Sequence, residues 1–98
     1  MRAAKSEYYV QYMDSLRDEK GKARIESRVM NLCNGNAGDA EPVGEGVSEL
    51  RIHYGPGYRV YYKRHGLEVY LLLVAGTKAT QDADIKLAKK IAKSIMKG

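Results

Sequence analysis

Apolar residues in the first third of the chain recur at helical spacing. Tyr9, Met13 and Leu16 fall at i, i+4 and i+7, and Ile25, Val29 and Leu32 repeat that spacing. Each stripe predicts a helix with one face turned to a core. The polar segment between them, Arg17 to Lys22, contains Gly21. It predicts two antiparallel helices joined near that glycine, with one long helix as the alternative. Asn34-Gly35-Asn36-Ala37-Gly38-Asp39 stops the second helix, because Gly and Asn accept positive φ.

From Val47 the period changes to two. Leu50, Ile52 and Tyr54 alternate with Glu49, Arg51 and His53, and Tyr58, Val60 and Tyr62 alternate with Arg59, Tyr61 and Lys63. Gly55-Pro56-Gly57 is the turn between them and Arg64-His65-Gly66 is the next. Val69 to Val74 is continuously apolar, as expected of a strand buried on both faces. Three strands in a meander are the simplest arrangement. After Gly76 the helical period returns, with Ile85, Ala88, Ile91, Ala92 and Ile95 on one stripe and Lys86, Lys89, Lys90, Lys93 and Lys97 around it. Thr77 or Thr80 is placed to cap this helix, and Asp82 and Asp84 favour its first turn. Helices, then strands, then a helix define an α+β class.

Length and composition narrow the picture. Ninety-eight residues suffice for one domain, spanning 1–98. All the aromatic residues are tyrosines, eight of them, whose hydroxyls need partners wherever the rings are buried. The single cysteine, Cys33, excludes an internal disulfide, and with only His53 and His65 as histidines no metal site or cofactor is expected. The longest apolar run is too short to span a membrane, and the N-terminus lacks the apolar core of a signal peptide. A reduced, cytoplasmic protein with no membrane partner is therefore expected.

The net charge of +5 is unevenly spread. Residues 29–50 hold four acids and no Lys or Arg, whereas residues 51–98 hold ten basic and three acidic side chains. The acidic stretch 39–49 reads as a solvated loop. The basic half points weakly to a polyanion.

A hairpin centred on Gly55-Pro56-Gly57 sets Tyr54 opposite Tyr58. His53 then faces Arg59, Arg51 faces Tyr61 and Glu49 faces Lys63, all on one side of the sheet. The other side, Leu50, Ile52, Tyr54, Tyr58, Val60 and Tyr62, packs under the helices. Arginine grips phosphate with a planar fork, histidine exchanges a proton near neutral pH, and tyrosine stacks on a base. Such a set suits RNA binding and metal-free cleavage. The same pattern also describes an ordinary solvated strand face, and pattern alone favours that reading.

Further residues tip the balance. Leu16-Arg17-Asp18, then Gly46-Val47-Ser48-Glu49-Leu50-Arg51-Ile52, then Tyr54-Gly55-Pro56-Gly57-Tyr58-Arg59-Val60-Tyr61-Tyr62 stand in order. Leu71-Leu72-Leu73, Gly76-Thr77-Lys78-Ala79-Thr80-Gln81 and Asp84-Ile85 follow. From about Tyr9 to about Ala92 the chain resembles the addiction-module killer proteins, HigB-like members of the RelE/ParE toxin superfamily. The resemblance implies a helical hairpin packed on a small twisted antiparallel sheet, with a C-terminal helix. It implies the toxin of a type II toxin–antitoxin pair in the bacterial cytoplasm. RelE-type members cut messenger RNA in the ribosomal A site without metal; ParE-type members poison DNA gyrase instead. The implied partner is an antitoxin, often a helix-turn-helix DNA-binding protein, through which alone the complex reaches operator DNA.

By the same resemblance, Arg59 is the phosphate-binding arginine and Lys78 the basic residue after the last strand. Arg51 and His53 lie on a strand that carries basic catalytic residues in RelE-type toxins. Those toxins often have a C-terminal tyrosine, but this chain has none after Tyr70, and Asp84 stands near that place. The general base is then Asp84, Glu49 or His53, with Tyr61, Lys63 and Arg64 left to contact RNA. Family members usually open with a strand, for which Met1 to Lys5 is too short and too polar. Either that strand is degenerate or the chain is truncated, and an inactive relic acting as a binding module stays open. A missing edge strand would leave the sheet to be completed by a homodimer partner or by an antitoxin strand. The antitoxin itself would contact the basic sheet face.

Overall fold

In the computed structural model, which describes residues 1–96, two helices form where the first two stripes lie. Helix α1 spans Glu7–Ser15 and α2 spans Glu19–Cys33. They part at Leu16–Asp18 and not at Gly21. The cause is Asp18, whose Oδ1 accepts the Gly21 N–H at 2.9 Å and so caps α2. Gly21 serves a different end. The ring of Tyr58 lies against it, and a Cβ there would sit 2.5 Å from Tyr58 Cε2. Tyr9, Met13, Ile25, Val29 and Leu32 are buried as their spacing predicts.

The sheet has five strands, two more than the meander. Strand β1 is Arg2–Lys5, β2 Ala40–Gly44, β3 Val47–Ile52, β4 Tyr58–His65 and β5 Val69–Thr77, in the order β1-β5-β4-β3-β2. The meander of β3, β4 and β5 stands as expected. Strand β1 adds to it in parallel, with Ala3 beside Tyr70 and Ala4 beside Leu71. Met1 to Lys5 therefore carry the opening strand that their polarity argued against. Pairing with the apolar β5 supplies the hydrogen bonds, and the two small alanines are half-buried. Strand β2 likewise replaces part of the expected acidic loop. It lies at the sheet edge, where Pro42 is tolerated.

The β3–β4 register differs from the expected one by two residues. Ile52 faces Tyr58, Arg51 faces Arg59, Glu49 faces Tyr61 and Val47 faces Lys63. The turn is longer than assumed because β3 ends at Ile52, leaving His53–Gly57 to reverse the chain; Gly57 adopts φ +77°. A shift by two preserves the faces, so Leu50, Ile52, Tyr58, Val60 and Tyr62 are buried under α1 and α2 as predicted.

The larger correction concerns the opposite face, which is not open. Helix α3, Gln81–Met96, lies across it, and Val47, Tyr61, Leu73, Val74, Ala88 and Ala92 form a second core there. A bulge makes that core possible. Tyr61 faces Val74 but Tyr62 faces Leu72, so Leu73 is the extra residue and joins Val74 on the α3 side. The hydroxyl of Ser6, the α1 cap, donates to the Leu73 carbonyl at 2.5 Å. The apolar run of β5 is thus buried on both faces. The basic sheet face expected to meet an antitoxin is covered, and the exposed charge belongs to α3 itself, at Lys86, Lys90 and Lys93. Lys97 lies outside the described residues. None of the described helices is long and apolar enough to cross a membrane.

Candidate functional site

The charged residues of β3 and β4 meet beneath the start of α3, and Glu49 is their centre. Its side chain is 1% exposed. It accepts hydrogen bonds from Arg51 Nε at 3.0 Å, the Tyr61 hydroxyl at 3.0 Å and Gln81 Nε2 at 2.8 Å. Burial pushes its carboxyl pKa up, but these bonds and the charge of Arg59 outweigh that and hold it below the usual range. A carboxylate so fully engaged is a poor general base. The same contact, with burial as the larger cause, pushes the Tyr61 phenol well above its ordinary range.

Arg59 is the second member. Its side chain is 10% exposed and its Nε stands 3.7 Å from Glu49 Oε2, an ion pair too long for a hydrogen bond. Among the described residues this buried Nε has no hydrogen-bond partner. A buried arginine donor left unmade is costly, so the Arg59–Glu49 pair stands only partly satisfied.

Arg51 turns the other way, towards the edge strand. It reaches Asp39 Oδ1 at 3.3 Å and Glu41 Oε2 at 2.7 Å in addition to Glu49. Three carboxylates therefore surround one guanidinium, and the hydrogen bonds it donates to Glu41 and Glu49 are the chief reason its pKa is driven still higher. His53 is 71% exposed and is hydrogen-bonded through Nε2 to Asp39 Oδ2. That bond is the main cause of the low Asp39 pKa. Arg28 ties this corner together by donating to the carbonyls of Arg51, Ala37 and Asp39.

Lys78 and Asp84 complete the rim. The Lys78 N–H donates to Gly57 O at 2.9 Å, which fixes the exposed lysine beside the hairpin turn. Thr80 Oγ1 accepts the Thr77 N–H at 3.2 Å and donates to Asp84 Oδ2 at 2.6 Å, so both threonines shape the helix entry. Asp84 lies over Gly76, which is the cross-strand partner of Arg59.

Arg51, His53, Arg59, Lys78 and Asp84 thus all lie towards the turn end of the sheet but in two groups: Arg51 and His53 meet Asp39 beside the edge strand, and Arg59, Lys78 and Asp84 stand by Gly57 and Gly76. The three residues expected to contact RNA lie elsewhere. Tyr61 is fully buried under α3, so it offers no ring or hydroxyl to a strand of RNA. Lys63 stands four residues up β4 from Arg59, about 13 Å away at strand rise, where its Nζ reaches Glu45 O at 3.3 Å. Arg64 bonds Gly66 O at the far turn. Gln81 was missed by the sequence reading. Its signal was the apolar stripe of α3, which needed a sheet face and had only the charged one left. Among the described residues no group of three or more His, Cys, Asp or Glu side chains is placed to hold a metal ion.

No family model matches the chain. It is 43% identical over 84 residues to an uncharacterized protein of Haemophilus influenzae, covering 86% of this chain and 85% of that protein. The chain belongs to the same family as that protein.

Proposed function

We propose that this protein is the toxin of a type II toxin–antitoxin pair, a HigB-like member of the RelE/ParE superfamily. In this reading it cleaves messenger RNA in the ribosomal A site without metal or cofactor. The observation that carries the reading is Arg59, a nine-tenths buried guanidinium with an unpartnered Nε, at the position the resemblance reserves for the phosphate contact. The element order supports it as well. A strand precedes the two helices and pairs in parallel with the last strand, so the expected departure at the N-terminus disappears. In this reading α1 and α2, which both pack on one face of the sheet, are the helical hairpin of that superfamily.

The chemistry follows from the groups at the turn. Arg59 and Lys78 hold the scissile phosphate and stabilise the charge that builds on its oxygens. A base takes the ribose 2′-OH proton, the 2′ oxygen attacks phosphorus, and the bond to the 5′ oxygen breaks as an acid protonates it. Of the three base candidates Glu49 is spoken for by its three donors. His53, bonded to Asp39, and Asp84, which accepts from Thr80, each have one partner among the described residues and are the two candidates to move protons.

Inducible expression in a bacterium, with mapping of messenger RNA 5′ ends, tests this. Wild type should arrest growth and cut within translated codons, and folded Arg59→Ala should do neither. A folded Arg59→Ala protein that still cuts would sink the assignment. The second reading is a ParE-type gyrase inhibitor. It is favoured by the three carboxylates on Arg51 and by the burial of Tyr61, both unhelpful to RNA. It predicts arrest with DNA damage and intact messages. An inactive relic predicts no arrest.

A further inference from the structure

Glu49 presents a physical problem. A buried carboxylate is expensive to desolvate, and a leucine in its place would fill the same strand position more cheaply. Its charge is offset by the groups gathered around it. Its partners come from three elements: Arg51 on its own strand, Arg59 and Tyr61 on β4, and Gln81 at the first residue of α3. Three of the four are satisfied at hydrogen-bond distance. Arg59 Nε alone stops at 3.7 Å, held by charge but not saturated.

We propose that Glu49 is the positioning residue of this site: it fixes the Nε side of Arg59 inside the protein so that the remaining nitrogens serve one backbone phosphate of an RNA strand. The proposal rests on the reading of Arg59 as the phosphate contact. It assigns Glu49 no proton transfer, since its donors leave it none to make. Tyr61 and Gln81 act through it, one bracing the carboxylate from the sheet and the other from α3.

The proposal inverts a simple electrostatic expectation. Removing a negative charge beside a phosphate site should tighten anion binding. If Glu49 positions Arg59, its neutralisation loosens binding instead. The probe is a fully 2′-O-methylated oligouridylate, which has the phosphates but no free 2′-OH, titrated into the full chain. Glu49→Gln should weaken binding by about tenfold or more, the scale of one hydrogen bond to a charged group. Glu49→Asp, which keeps the charge, should recover part of the loss. In an Arg59→Ala background Glu49→Gln should have no further effect, because the coupling runs through that one arginine.

Glu49→Gln protein that binds as tightly as wild type, or more tightly, overturns the proposal. So does a loss of the same size with and without Arg59. If Arg59→Ala alone leaves binding unchanged, the phosphate reading itself falls and this inference with it; if only the Glu49 variants are silent, the phosphate reading survives alone. Should Glu49→Gln fail to fold, the wild-type protein still decides. Its Arg59 Nε–H resonance should resist solvent exchange and move when the oligouridylate is added. A freely exchanging, unmoved resonance would refute the positioning role.

Discussion

Asp84 occupies the space that a side chain on Gly76 would need. A Cβ at Gly76 would overlap Asp84 Oδ2 and stand 2.8 Å from Thr80 Oγ1. The backbone of Gly76 is ordinary extended strand, so the requirement is room and not φ. Gly76→Ala should therefore push the first turn of α3 off the sheet and cost about 1–3 kcal/mol, the usual range for overpacking. Urea unfolding reads this directly. A midpoint equal to that of wild type would mean that Asp84 swings away freely.

Asp39 and Glu41 act as the anions of Arg51 in the free protein. Any incoming phosphate must compete with them, and both are on the surface at the sheet edge. The double variant Asp39→Asn with Glu41→Gln should bind an oligonucleotide severalfold more tightly at low salt, with the gain fading as salt rises. Equal affinity at low salt would show that Arg51 takes no part in anion binding.

Acid should weaken the fold through Glu49. Unfolded, its carboxyl titrates near 4.5, and in the folded protein it lies lower. A lowered folded value means that its stabilisation is complete above pH 4.5 and is lost as pH falls through the folded value. Asp18, held low first by the Gly21 N–H and then by the Tyr58 hydroxyl, adds in the same direction. Glu49→Gln should lower stability at neutral pH and flatten its fall in acid. Urea midpoints that decline below pH 4.5 with the wild-type slope would contradict this.

Alkali should act through tyrosine. Burial, followed by the hydrogen bond to Asp18, pushes Tyr58 from 10.0 up to about 12. Burial, followed by the charge of Glu26, does the same for Tyr9. Both groups hold their protons more tightly when folded. Their contribution is full below pH 10 and is lost as pH rises towards 12. Thermal melting should fall across that window, and less steeply in Tyr58→Phe. A variant as alkali-sensitive as wild type would show that Tyr58 ionises without unfolding.

Local pattern made much of this fold legible. The stripe of α2, the alternation of Leu50 with Ile52 and of Tyr58 with Val60, and the turn at Gly55-Pro56-Gly57 are statements about neighbours in sequence. The expected order of helices, then strands, then a helix holds from α1 onward, with β1 ahead of it. What stayed hidden is non-local. Strands β1 and β2 have too few residues for a period of their own and exist because β5 and β3 offer them hydrogen bonds. The burial of Glu49, Arg59 and Tyr61 depends on where α3 docks, and that depends on a one-residue bulge at Leu73. Side-chain polarity gave the strand face correctly and its exposure wrongly, because buried ions that satisfy one another look like solvated ones in a sequence.

The sheet order sets a timetable. Strand β1 is made before the other described elements, and among the described residues its neighbour in the sheet is β5, which is complete at Thr77. Ser6 likewise waits for the carbonyl of Leu73 before α1 is anchored. Gln81 must then follow before Glu49 is closed over. A chain emerging N-terminus first can therefore complete neither the five-stranded sheet nor the arginine site until β5 and the start of α3 have been made. Shortened chains ending before β5 should be inert and readily degraded, so whatever activity the protein has waits for β5 and α3.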